Sequence, residues 1–342
     1  MTCLIAAMIL GQAAVSPKPQ AARPVPFESE RLGYRAAVAG KLRQRRFTEL
    51  EDQVRALRTG RDRFSSGISK LADFYRGLVP LGETAPTSMA DQFETWLNDW
   101  QAQSPGSITP RNGLIQLERQ RAFTARGLEF APNVTPEGLQ GFEEHMKRAW
   151  GLVDEARPIK EKDAAFFRLL IDLCLGGSCP GGKAEEYLKA GLSIDPSYDD
   201  LYVAMANYLL PRWYGSVDEL TRFAAHAADE SRQYLGEIAY VRIATVALLT
   251  EGNALPERYP GLSWERIQRG LADLDQRFPN SARTVHLRAR FACAYHDAAT
   301  AQSAFKALGR PAWDRDASEL WFQPERLEQC YGAPVQRPPF PR

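Results

Sequence analysis

The sequence predicts an all-α chain built as an array of antiparallel helical hairpins. Two observations carry this expectation. Apolar residues recur at helical spacing almost from end to end, as in "DQFETWLNDW", where Phe93, Trp96, Leu97 and Trp100 fall at i, i+3, i+4 and i+7. No segment alternates apolar and polar residues over a strand's length, and no Asn-Gly turn sits between β-branched runs. The 342 residues suffice for a substantial core, and 25% charged with 44% hydrophobic residues is ordinary globular composition. A formal net charge of +1 supplies no field for nucleic acid, so none is expected as a partner.

Residues 1–16 open with "MTCLIAAMILGQAAVS", an apolar block followed by small side chains at Ala13 and Ser16. The block is far below the ~20 residues of a spanning helix, and it reads as a secretory signal. An exported, periplasmic protein that is not integral to a membrane follows from that reading. Residues 17–26, "PKPQAARPVP", read as an extended proline-rich linker, and 332–342 as a similar tail.

Residues 27–157 form an N-terminal helical region. In "KLRQRRF", Lys41, Arg43, Arg45 and Arg46 crowd together, but "TELEDQ" follows at once, which predicts a solvated helix face. "SGISKLADFYRGL" sets Ile68, Leu71, Tyr75 and Leu78 on one stripe, and "TPEG" offers Thr135 as an N-cap with Pro136 in the first helical position. Aromatic stripes of this kind predict core rather than a cofactor site.

Residues 158–331 carry more than periodicity. Cys174, Cys179, Cys293 and Cys330 remain once Cys3 leaves with the signal, an even set that an exported chain can pair in three ways. Cys174–Cys179 and Cys293–Cys330 are the expected disulfides; kept in the cytoplasm, the same residues would be reduced thiols. A zinc site made by "CLGGSC", Cys174 to Cys179, with Cys293 and His296, the last two three apart on a helical stretch, is the weaker alternative. "GSCPGGKA" satisfies G-x4-G-K through Gly177, Gly182 and Lys183, but Ala184 replaces the magnesium-holding hydroxyl and the preceding "FFRLLIDLCL" has helical spacing, so a phosphate loop is rejected.

In "AEEYLKAGLSIDP", Ala184, Leu188, Gly191 and Pro196 follow the spacing A-x3-F-x2-A-x4-P, and Tyr202, Met205, Ala206 and Leu209 continue in phase. Ala289, Ala301 and Phe305 repeat the pattern nearer the C-terminus. These residues resemble the tetratricopeptide repeat across roughly 160–310, which implies a tetratricopeptide-like solenoid in the C-terminal half.

Between two of these helices lies "LPRWYGS". Pro211 stops one helix, Gly215 frees the turn, and Ser216 with Glu219 forms the S-x-x-E box that starts the next. Arg212, Trp213 and Tyr214 therefore occupy a corner that is either structural or a grip for a partner. The segment Leu210–Ser216, with Trp100, Pro105, Ser107 and the "ARG" at Ala125–Gly127, is similar to a group of uncharacterised bacterial proteins gathered as a domain of unknown function. That resemblance implies a helical fold and no catalytic residue.

His145, His226, His286 and His296 are scattered, no H-E-x-x-H or G-x-S-x-G occurs, and "DES" at Asp229–Ser231 lacks the surroundings of a glycan-cleaving site. No cofactor, metal or catalytic residue is expected. The function that follows is non-enzymatic docking of a protein or peptide partner, or of a cell-envelope polymer, on a concave helical surface. The alternative is an exported envelope enzyme, processing glycan or peptide, with its site among the abundant carboxylates.

Overall fold

In a computed structural model of the protein the described residues are 24–80, 87–127, 133–159, 162–177, 179, 182–309 and 312–337. The expected signal at 1–16 and most of the linker lie outside them, as do Ser178, Pro180 and Gly181 of the rejected phosphate loop and the last residues of the tail.

Among the described residues every regular element is helical, with isolated β-bridges and no strand. The helices are α1 Glu28–Arg43, α2 Phe47–Gly60, α3 Lys70–Leu78, α4 Thr87–Gln103, α5 Ile108–Arg126 and α6 Pro136–Ala156. They continue with α7 Ala164–Cys174, α8 Lys183–Ile194, α9 Asp200–Tyr208, α10 Val217–Leu235, α11 Ile238–Glu251 and the short α12 Leu255–Arg258. The last are α13 Trp264–Arg277, α14 Ala282–Ala294, α15 Ala298–Leu308, α16 Arg315–Trp321 and α17 Pro324–Tyr331. No helix among the described residues is long and apolar enough to cross a membrane.

Local sequence explains the helix starts. Thr135 accepts from the Gly138 amide with Pro136 in the first helical position, and Asp163, Ser216, Ser263, Ser281 and Asp297 cap their helices in the same way. Neighbouring helices pack on one another: α4 with α5, α5 with α6, α7 with α8, α9 with α10, α11 with α13 and α14 with α15. Residues picked out by repeat spacing sit at these contacts. Ala184, Gly191, Tyr202, Met205 and Ala206 are buried, and a Cβ on Gly191 would come within 2.7 Å of Leu201. Gly270 of α13 allows the same close approach to α11, against Val241 and the Glu237 carbonyl.

The inner helices are not the open wall of a groove. Ile238 to Leu248 of α11 is buried at every position, and α14 is buried over most of its length. A helix buried all round has neighbours on every side. The N-terminal residues supply some of that cover by clamping the starts of the inner helices. Arg58 reaches Asp163 before α7 at 2.8 Å, Arg63 reaches Asp199 before α9 at 2.7 Å, and Arg76 reaches Asp200 at 2.8 Å. Val25 pairs with Ser281 before α14, and the Phe27 and Glu28 amides donate to the Asp316 carboxylate of α16 at 2.9–3.2 Å.

Most charges in this seam are compensated; the exception is Arg283 at the start of α14, buried with Glu319 4.0 Å away. Asp73, fully buried, accepts from Arg31, Arg35 and Arg76 at 2.7–3.2 Å. Burial alone would push its pKa up, yet the three guanidiniums hold it at about 2. Asp199, also buried, is shared by Arg63 and Arg242, which keep its carboxyl below the usual range against the same burial penalty. One hydrophobic cluster accordingly runs from Phe27 to Val335, and a second joins α5, α6 and α7 around Ile115, Ala149 and Leu173.

Both cysteine pairs lie at disulfide distance. Cys174 and Cys179 have Cα atoms 4.7 Å apart, and Cys293 and Cys330 5.9 Å apart. The turn carrying Gly177 follows helix α7, and Lys183 pairs with Glu186 at 2.6 Å.

Candidate functional site

The surface opens around the α4–α5–α6 layer, and also between α14, α15 and α17, where a cavity of about 700 Å³ is lined by Ala292, Phe305 and Tyr331. Gly113 lets α4 approach α5 closely, since a Cβ there would come within 2.6 Å of Leu97. Ser107 caps α5 by accepting from Thr109, and Trp100 closes α4 fully buried, stacked on Phe47 at 5.7 Å and donating to Glu51 at 2.9 Å. A buried indole of this kind contributes on the order of 3 kcal/mol by area. Trp100 and Ser107 thus build the α4–α5 corner. Gly127 ends α5 with φ 75°, a conformation that favours glycine.

On one side of α5 lies a cavity of about 810 Å³ between α4, α5 and α6. Its centre is a polar knot. Glu118 of α5 is buried; its Oε1 accepts from Arg121 at 2.6 Å and its Oε2 lies 2.8 Å from His145 Nδ1 on α6. Arg121 also holds Asp91 and Glu94 of α4, each at 2.7 Å. The knot ties three helices, and an imidazole held through Nδ1 leaves Nε2 for a further group.

On the other side, α1, the end of α3, α4 and α5 enclose a groove of about 1080 Å³. Arg35 and Arg43 come from α1, Arg76 from α3 and Arg119 from α5, beside Phe93, Trp96 and Phe123. The guanidinium of Arg119 lies 4.9 Å from the Phe123 ring centre. Burial lowers its pKa, partly offset by Asp172 and reinforced by Arg168. The two cavities lie on either side of α5 and are both lined by its Gln120 and Thr124.

The corner residues lie elsewhere. Arg212 is exposed, Trp213 is half-buried against the main core, and Tyr214 is exposed and stacks on Tyr208 at 5.1 Å. Ser216 caps α10 as its spacing predicts, and Gly215 is required because a Cβ would come within 2.3 Å of the Leu209 carbonyl. None of the three lines either cavity. Cys293 is taken up with Cys330, and His296 is exposed beside it. Asp229 pairs with Arg232 and Arg266, and Glu230 with His226, so the carboxylates of "DES" are a charged surface lattice.

Sequence reasoning missed Glu118, His145 and Arg119. The available signal was α5 itself: Asn112, Glu118 and Arg119 interrupt what should be an apolar face, and polar residues on a packed face call for partners. The run at Lys41–Arg46 divides in two. Arg45 pairs with Asp99 and Arg46 with Glu49 on the exposed surface, as a solvated face requires, while Arg43 lines the groove.

Comparison with known proteins returns no matching family model, no matching curated protein and no matching solved structure.

Proposed function

We propose that this is a non-enzymatic docking protein of the cell envelope, and that the cavities beside α5 receive an extended peptide segment of a partner. One observation carries the reading. Two open cavities flank α5, at about 810 and 1080 Å³ with Gln120 and Thr124 in common, while α11 is buried from Ile238 to Leu248 and α14 meets a smaller cavity of about 700 Å³ only through Ala292 and Cys293 near its end. Together the two cavities exceed the ~300–1,000 Å³ of an ordinary small-molecule site, and an extended chain fills such a shape. The docking face therefore moves from the concave side expected of an open array to its N-terminal shoulder. The paired cysteines and the absence of a spanning helix among the described residues support an exported form with tetratricopeptide-like hairpins as scaffold. A photo-crosslinking residue at exposed Thr124 of the exported protein should capture a partner peptide in its native host, and one at exposed Tyr234 on α10 should not. Equal labelling from both positions would end the proposal.

A second reading rests on the 2.8 Å contact between Glu118 and His145, since a carboxylate-held imidazole is the arrangement of a general base. It requires hydrolysis of a cell-envelope glycan or peptide that disappears in His145→Gln. Hydrolysis that survives this change would remove it.

A further inference from the structure

We infer that the segment seated in the α1–α4–α5 groove is acidic and carries an aromatic side chain. The inference rests on the docking reading above and names the chemistry of its ligand. Arg35, Arg43, Arg76 and Arg119 converge from three helices, and no carboxylate is among the described lining residues. Their positive charge is only partly spent inside the protein. Asp73 serves Arg31, Arg35 and Arg76 together, with Asp200 as a second partner for Arg76 alone. Arg43 and Arg119 have no carboxylate within salt-bridge distance among the described residues. Guanidiniums without a carboxylate inside the protein gain most from one that comes with a ligand, because charge-assisted bonds are the strong ones.

The remaining lining residues say what else the ligand brings. Half-buried Trp96 and Phe123 and exposed Met89 offer an apolar platform, and aromatic pairs in edge or stacked contact add to simple burial. Gln92 and Gln116 place amide side chains along the groove, which can both donate to and accept from a peptide backbone. A small inorganic anion would use the arginines and leave this platform and these amides idle. The chain's own proline-rich ends are poor candidates. Residues 17–26 and 332–342 carry Lys18, Arg23, Arg337 and Arg342 with no acidic residue, so the groove repels them.

The test is selection of random 12-residue peptides against the full-length protein, followed by fluorescence anisotropy on the peptides obtained. Enriched peptides should be net negative and contain Trp, Phe or Tyr. Arg119→Gln should weaken them roughly tenfold and Arg43→Glu roughly fivefold, as loss of a charge-assisted bond and of a rim charge predict. Tyr234→Ala, on the far α10, should leave them unchanged. Raising the salt from about 50 to 300 mM should weaken binding several-fold, since the Debye length falls from about 14 to about 6 Å. Arg119→Met should lose binding without losing thermal stability, a combination that a merely structural arginine would not give. Peptides without an acidic bias, still excluded by Ala36→Trp in the groove, would overturn the charge inference and leave the docking reading standing. Acidic peptides indifferent to both arginine changes would do the same. Failure of any peptide to enrich would remove both.

Discussion

Two arginine-rich regions of this protein have opposite fates. In the seam between the N-terminal helices and the starts of α7 and α9, guanidiniums meet carboxylates one for one or in shared clusters, and the seam is shut. In the groove between α1, α4 and α5, arginines outnumber the carboxylates within reach, and the surface stays open. Charge that is paired inside the chain holds a fold together, whereas charge left unpaired at the edge of a cavity is available to a ligand. Asp73 belongs to both regions. It closes the seam through Arg31 and restrains Arg35 and Arg76 on the floor of the groove.

The largest expected effect lies in the seam. Asp73→Ala removes the shared partner of three guanidiniums at a buried site, leaves Arg35 with no carboxylate among the described residues, and should cost about 3–5 kcal/mol, read from urea or thermal unfolding. A change below about 1 kcal/mol would mean that the seam is not closed by charge. Next comes the long crosslink. Replacing Cys293 and Cys330 with alanine reopens a 37-residue separation and should cost about 4 kcal/mol by chain entropy, against about 2 for the pair 5 residues apart at Cys174 and Cys179. Thiol counting on exported protein checks the same pairing, which reactive thiols at all four positions would refute.

A pH effect should follow from α14. His286 is buried, its Nδ1 accepts from Trp321 at 3.2 Å, and burial holds its pKa at about 4, with Asp314 opposing weakly. Above pH 6.5 the imidazole is neutral in both states and its contribution is fully present. As pH falls from 6.5 to about 4, the unfolded chain binds a proton that the folded chain refuses, so stability should drop by up to about 3 kcal/mol. Glu28 titrates in the same window with the opposite sign. Burial, opposed by Arg31 and aided by Glu319, lifts its folded pKa to about 7, and the stability it gives is lost as pH rises. The His286→Gln variant separates the two: its profile between pH 4 and 6.5 should lack the downward arm seen in the native chain. Identical profiles would contradict the assignment.

The groove should answer with smaller numbers and reversed sign. Arg119→Met removes a guanidinium with no carboxylate partner among the described residues, so unfolding should be unchanged or shifted by about 1 kcal/mol towards greater stability. A loss as large as that of Asp73→Ala would assign Arg119 to the fold instead of the site. The corner should respond least. Tyr214→Ala, at 49% exposure, should stay within about 0.5 kcal/mol and leave peptide binding unchanged.

What could be read from the sequence follows physical scale. Helices were legible because burial imposes a period on local residues: Phe93, Leu97 and Trp100 of the α4 stripe are all buried, as are Leu71, Tyr75 and Leu78 of α3. Caps at Thr135 and Ser216 were legible because the groups that satisfy a helix end lie within three residues of it. The cavities were not. Trp96 belongs to the same stripe as Trp100, and only the position of α1 leaves it at the rim of a groove. Glu118 and His145 are 27 residues apart on different helices, and Arg31 is 42 from Asp73, separations that carry no local pattern. The burial of the inner helices was equally hidden, since the cover comes partly from residues more than a hundred positions earlier, as Arg63 on Asp199 shows with a separation of 136.

Hydrogen exchange on the full chain, with and without an acidic aromatic 12-residue peptide, tests the division of labour most directly. The account predicts new protection confined to residues 32–43 and 89–124, with α9, α11 and α14 unchanged because they are already covered. Protection appearing instead along α9, α11 and α14, with residues 24–80 exchanging faster as the peptide displaces them, would contradict it.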